Sequence, residues 1–204
     1  MAIKDMRQPV LLEHASRLVN HGPTVLVSSE HAGHRNVMAA AWSMPVEFTP
    51  PRIAVVIDKR TVTADRVRAS GVLALNVPGR ALADVTFTVG SVSARDLPPN
   101  VDKFAYYGIE TFQGPTLGLP LVSGCAAWME CRVIREAHTE EAYDTWFVEV
   151  VSALADARVF DNGRWSMRED NADLHTLHHL GAGRFSLAGP PIASSLLKPA
   201  ARRP

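Results

Sequence analysis

The chain has 204 residues, enough to bury a substantial core in one domain and too few for two of ordinary size. Hydrophobic residues make up 47% and charged residues 21%, and 21 Lys+Arg offset 21 Asp+Glu for a formal charge of +0. That balance lacks the basic excess of a nucleic-acid or membrane-surface binder, and no apolar run approaches the roughly 18 residues that a bilayer span needs. The opening MAIKDMRQPV has no apolar core of the signal-peptide kind. Cys125 and Cys131 match no zinc pattern, so reduced thiols in a cytoplasmic protein are expected. Residues 1–20 read as an N-terminal extension with a helix, 21–190 as the folded domain and 191–204 as a tail, its end LLKPAARRP frayed.

In chain order, Thr24–Ser29 is β-branched and follows the turn signal Gly22-Pro23. Asn36–Trp42 fits a strand or a helix by composition. Arg52–Asp58 reads as a buried strand opened by Pro50-Pro51, with a helix over Ala64–Ser70 between the N-cap Thr63 and Gly71. Val72–Val77 is a strand closed by Pro78. Helices are expected near Leu82–Val89, within Pro98–Tyr107 and over Ala172–His179. Ala126–Ile134 and Trp146–Leu154 complete the strands. Many strands, short scattered helices and no regular βα alternation predict a mainly antiparallel barrel with helical inserts, not a doubly wound parallel sheet.

Three segments carry chemistry. In RIAVVIDKRTVTADRVRASG a buried strand ends at Asp58, and Lys59, Arg60, Thr61 and Thr63 lead straight into a helix. Two cations and two hydroxyls at a helix start, where N–H groups are unpaired and the dipole is positive, suit a phosphate. A solvated loop with an ordinary cap is the other reading, and the glycines of a P-loop are missing. In NVMAAAWSMP, the alanines let a planar ligand lie close to backbone amides, with Trp42 as an apolar wall; a tightly packed core strand explains the same residues. In LNVPGR, Asn76 is polar within an apolar run and needs partners, either backbone groups or the amide edge of a heterocycle.

Together, and in this order, NVMAAAW, PPRIAVVIDKRTVT and SGVLALNVP resemble the flavin reductase-like family, the FMN-binding split barrels that include flavoredoxin. VDKF (Val101–Phe104), GCAAWMECRV (Gly124–Val133) and HHLGAGRFSLAG (His178–Gly189) extend the likeness from about Thr24 to Gly189. The resemblance implies a mainly β fold, a six-stranded antiparallel split β-barrel with short peripheral helices, forming a homodimer with FMN near the interface. It places Asn36, Ala39, Ala40, Ala41 and Trp42 along the isoalloxazine, and Lys59, Arg60, Thr61 and Thr63 on the phosphate. Asn76, Val77 and Pro78 would flank the ring or ribityl chain. Lys103 would be a flavin-contacting lysine, its cation favouring the anionic reduced flavin. Many relatives carry a His in the turn before the strand near Trp146; this chain has Asp144.

Other residues tempt. His31 and His34 form an HxxH, and His175, His178 and His179 cluster near the C-terminus. Metal binding needs three or four convergent ligands, so packing or capping is expected, with a place near the flavin as the alternative for His178 and His179. Cys125 and Cys131 read as core residues. Gly181-Ala182-Gly183 is no dinucleotide fingerprint, so a nicotinamide nucleotide would bind transiently against the flavin. The expected activity is that of an NAD(P)H:flavin reductase supplying a monooxygenase or another redox protein. The alternatives are a flavoredoxin-like electron carrier with tightly bound FMN, and a non-catalytic split-barrel binder of another cofactor.

Overall fold

The computed structural model describes residues 5–196; the expected frayed end LLKPAARRP lies outside them from its second residue onward. Strand β1 (Arg7–Pro9) and a 3-10 helix (Leu12–Leu18) precede β2 (Val25–His31), β3 (His34–Ala40), β4 (Ser43–Phe48) and β5 (Pro51–Val56). Helix α1 (Val62–Ser70) leads into β6 (Val72–Val77), followed by α2 (Ala83–Ser91) and the short α3 (Lys103–Tyr106). Next come β7 (Thr111–Gln113), β8 (Pro120–Val122), β9 (Ala127–Ile134), α4 (Ala137–Tyr143) and the long β10 (Thr145–Asp156). The hairpins β11 (Phe160–Asp161) with β12 (Arg164–Trp165) and β13 (Leu177–Gly181) with β14 (Arg184–Leu187) complete the fold.

One antiparallel sheet runs in the order β3-β2-β6-β9-β10-β5-β4, with β1 added along the end of β10. This is the mainly β architecture with short helices that the sequence predicts, in eight strands rather than six. Its main core gathers Trp146, Ile53, Leu73, Leu75, Met129 and Val148 on one face of the strands. Burying each large aliphatic chain contributes about 1.5–3 kcal/mol. A second apolar cluster on the opposite face joins Leu26, Val37 and Ala74 to Val89 of α2 and Phe104 of α3. β3 pairs with β2 alone, so its other edge is free and bordered by helices.

Local chemistry explains the boundaries. The N-cap of α1 is Thr61, whose hydroxyl accepts the Ala64 N–H at 3.1 Å, and Gly71 ends the helix at φ 69°. The β2–β3 turn is Ala32-Gly33, both with positive φ (51° and 78°), the requirement of a tight hairpin. His31 and His34 are therefore cross-strand neighbours at a hairpin tip. The helix expected over Ala172–His179 is replaced by a 3-10 segment, Glu169–Leu174, and then by β13. The Gly181–Gly183 turn folds β14 back onto β13, and pairing there outweighs helical propensity. The sequence reading missed β4, because its apolar residues face outward and Pro45 interrupts it. It also missed α4, a short polar helix without a side-chain cap.

Candidate functional site: a two-chambered groove along the free edge of β3

An edge strand leaves alternate N–H and C=O groups unpaired. Along the free edge of β3, between α1 on one side and α2 and α3 on the other, run two joined cavities of about 420 and 380 Å³. Each is within the range of roughly 300–1,000 Å³ typical of small-ligand sites. They meet at Gly90 and Ser91, which line both. Gly90 permits the close approach of α2 to β3, since a Cβ there would lie 3.0 Å from the Ala39 methyl.

The first chamber is polar. Asn36 is buried, and its Nδ2 donates to Thr63 Oγ1 at 2.8 Å, leaving the Thr63 hydroxyl proton for a ligand. Asn36 Oδ1 is buried with no hydrogen-bond partner among the described residues. Lys103, only 3% exposed, donates from Nζ to the Val89 carbonyl at 2.8 Å, at the C-terminal end of α2. Burial lowers its ammonium pKa to about 8, with Asp96 pulling the other way. Val62 and Thr63, at the start of α1, add first-turn N–H groups that the helix cannot use. Ser91 and Ser93 add hydroxyls.

The second chamber is apolar. Ala39 near the end of β3 and Ala41 just beyond it line its floor, and Phe87 of α2 lines it together with Phe185 and His179 of the β13–β14 hairpin. The His179 N–H donates to Thr24 Oγ1 at 3.2 Å, fixing the hairpin over the start of β2, and the His179 and Phe185 ring centroids lie 5.4 Å apart. Gly183, at φ 73°, sits so close to Phe87 that a Cβ would come within 3.0 Å of the ring. The polar lining at one end suits an anion, and the apolar lining at the other suits a planar apolar group.

The structure brings Asn36, Ala39, Ala41, Arg60, Thr61, Thr63 and Lys103 to the groove. It places the remaining candidates elsewhere. Ala40 points the other way into the main core, as alternation along a strand dictates. Trp42 is 73% exposed and lines neither chamber. Lys59 is turned toward α4, where Nζ donates to the Glu141 carbonyl and lies 3.8 Å from Asp144. Asp144, left-handed at φ 53°, also accepts the Lys59 N–H at 3.1 Å, so it anchors the β5–α1 loop from behind. Arg60 arrives already forked onto Asp58 at 2.7 and 3.1 Å, which holds that carboxyl down at about 2. The Thr61 hydroxyl is spent on its cap and on the Asp58 carbonyl.

Asn76 and Val77 of β6, and Pro78 just beyond it, are buried and line neither chamber. Asn76 donates to Leu26 O and Ser28 Oγ and accepts the Val122 N–H at 2.8 Å. Its need for partners is met by stitching β2, β6 and β8 together. Cys125 and Cys131 are free and fully buried, and burial pushes both thiols up. Sequence reasoning missed Phe87, Ser91, Ser93 and Phe185; the polar SVS run closing a predicted helix was the available signal.

The sequence and the fold place the chain in one family. The Flavin reductase like domain model covers residues 17–169, and the chain belongs to that family. It is 55% identical over 89% of its length, and 94% of the relative's, to the uncharacterized protein YddH of Escherichia coli (strain K12). Among solved structures it resembles the FMN-binding domain of a flavin reductases-like enzyme from Shewanella baltica OS155, with TM-score 0.88 and 39% identity, covering 95% of this chain and 100% of that one. Flavoredoxin of Desulfovibrio vulgaris (Miyazaki F) shares the fold at TM-score 0.68 and 23% identity, over 85% of this chain and 90% of that one.

Proposed function

We propose that the groove seats FMN and that the protein acts as an NAD(P)H-dependent flavin reductase. The observation that carries this reading is the junction at Gly90–Ser91 between a polar, lysine-floored chamber and an apolar one. The residues fit the group. Thr63, Ser91, Ser93, Lys103 Nζ and the first-turn N–H groups of α1 supply donors for a phosphate. The orphaned Asn36 Oδ1 supplies an acceptor for a ribityl hydroxyl. Ala39 and Ala41 leave the strand backbone open to a ring edge. Membership of the family and likeness to an FMN-binding relative support the same assignment.

Bound FMN would supply the two-electron chemistry, accepting hydride from a nicotinamide nucleotide. The chain's own part is positional and electrostatic. Lys103 and the hydroxyls fix the phosphate and thereby the register of the ring, while Phe87, Phe185 and His179 keep water from its outer end. Holding the reacting atoms about 3–3.5 Å apart gives most of the advantage, and no side chain is needed as acid or base. The nicotinamide lies transiently on the open face of the groove.

The proposal extends to a homodimer. Trp42, just before edge strand β4, and Met44, Val46 and Phe48 on it expose an apolar stripe, at 73%, 59%, 41% and 68%, the kind of patch that marks an interface. It extends also to a monooxygenase or another redox protein as the recipient of electrons, and to a cytoplasmic setting, where buried free thiols are in keeping.

The test is the spectrum and mass of whatever co-purifies, then anaerobic oxidation of NADH and NADPH with added FMN. Flavin-dependent oxidation of either nucleotide is expected. A flavin-loaded protein reduced only by another redox protein would replace the reductase reading with the carrier. A non-flavin chromophore would remove both.

A further inference from the structure

The two banks of the polar chamber are built differently. One is the start of α1, whose Thr63 and Ala64 are buried. The other includes the Val92–Asp102 strap that joins α2 to α3, from which Val92, Ser93 and Ala94 line the cavity. No residue of this strap is buried, and none belongs to an apolar cluster. Its ends are fastened. The Val92 N–H donates to the Thr88 carbonyl of α2, while Asp102 caps α3 through the Ala105 N–H and pairs with Arg35 at 2.9 Å.

Between those ends, among the described residues, one side chain ties the strap to another element. Arg95 reaches across to the α1 bank, donating from Nη1 to the Arg60 carbonyl and from Nη2 to Asp65 at 3.0 Å. The Ser93 hydroxyl accepts the Arg95 N–H at 3.2 Å, so this latch is joined to a residue that lines the chamber. A segment with few apolar contacts opens locally at low cost. Arg95 and Asp65 are each more than half exposed, which makes their ion pair a weak fastening. Arg95 lines neither chamber, and its partners are protein groups, so it fastens the strap alike with or without a ligand.

We propose that the Val92–Asp102 strap is a gate over the phosphate end of the groove and that the Arg95 latch sets how long a flavin stays. Opening carries Ser93 away from the phosphate and uncovers the first turn of α1; closing restores both. The strength of the latch then decides whether flavin exchanges as a substrate or remains as a bound group. The inference rests on the groove being the flavin seat.

The experiment is a stopped-flow measurement of FMN association and release, read by flavin fluorescence, on the full chain and on Arg95→Gln and Asp65→Asn. Both variants should bind and release FMN faster, Arg95→Gln by about fivefold or more and Asp65→Asn, which keeps the bond to the Arg60 carbonyl, by less. Kd should stay within about threefold in both, because a gate changes the two rates together, and that retained affinity certifies folding. The two substitutions shift the local charge in opposite senses. An electrostatic effect on the FMN phosphate would speed release from Arg95→Gln and slow it from Asp65→Asn, whereas a lost latch speeds both. Release rates that move in opposite directions, or faster release with Kd weakened in proportion, would make Arg95 a phosphate contact and overturn the gate, and so would unchanged rates. Each of these leaves the flavin seat standing. An unsubstituted chain that binds FMN no better than riboflavin removes the seat, and the gate with it.

Discussion

Two buried asparagines lie on strands of the same sheet and have opposite meanings. On β6, Asn76 has every polar group committed: two acceptors for its amide hydrogens and the Val122 N–H for its oxygen. On β3, Asn36 spends its amide on Thr63 and keeps a buried oxygen that nothing described satisfies. Both look alike as letters, a polar residue inside an apolar run. A filled set of partners marks a structural residue, and an unfilled one beside a cavity makes a candidate for binding.

The largest effect that tests this contrast is on folding. Asn76→Ala strands the Leu26 carbonyl and the Val122 N–H in the core, and should cost about 3–5 kcal/mol in chemical denaturation. FMN affinity of the protein that remains folded should hold. If it fell while stability held, the contrast would be reversed.

Next in size is Lys103→Met, which keeps the volume and removes the charge. It should weaken FMN by about 1.5–3 kcal/mol, tenfold or more, and leave riboflavin unchanged. The pH dependence sharpens this. The advantage of FMN over riboflavin should be full at pH 7 and shrink as pH rises through about 8, where the buried ammonium loses its proton. Stability moves the other way. From about 8 to 10.5 the unfolded chain binds more protons than the folded one, so Lys103 adds stability as pH rises through that window. Lys103→Met should abolish both trends.

Asn36→Ala should be milder, costing FMN binding about 1 kcal/mol and denaturation stability less than Asn76→Ala does. Smallest of all is Lys59→Ala. Its exposed pairing with Asp144 contributes at most about 1 kcal/mol to stability, and FMN affinity should stay within about twofold. A large loss of FMN would return Lys59 to the phosphate.

Of the elements that build the groove, α1 was legible in the sequence, while β3 fitted a strand or a helix by composition and β13 was expected as a helix. Strands β2, β5 and β10 carry β-branched apolar runs, β6 is a mostly apolar run between Gly71 and Pro78, and α1 stands between a threonine cap and a glycine stop. The site was legible only as far as sequence neighbours share a direction. Asn36, Thr63 and Lys103 come from three separate elements, yet each lay in a segment already marked as ligand-facing. Lys59 did not follow Arg60, because adjacent residues in a loop diverge and Asp144 draws Lys59 backward. Ala40 parts from Ala39 and Ala41 by strand alternation. Phe87, Phe185 and His179 meet only through packing of α2 against a distant hairpin, which no local pattern encodes.

Gly90 has a consequence beyond close packing. It is the sill between the chambers, and a methyl there would already press on Ala39. A bulkier side chain would turn the passage into a bulkhead. Short molecules could still settle on either side, while any occupant long enough to bridge both compartments would be barred.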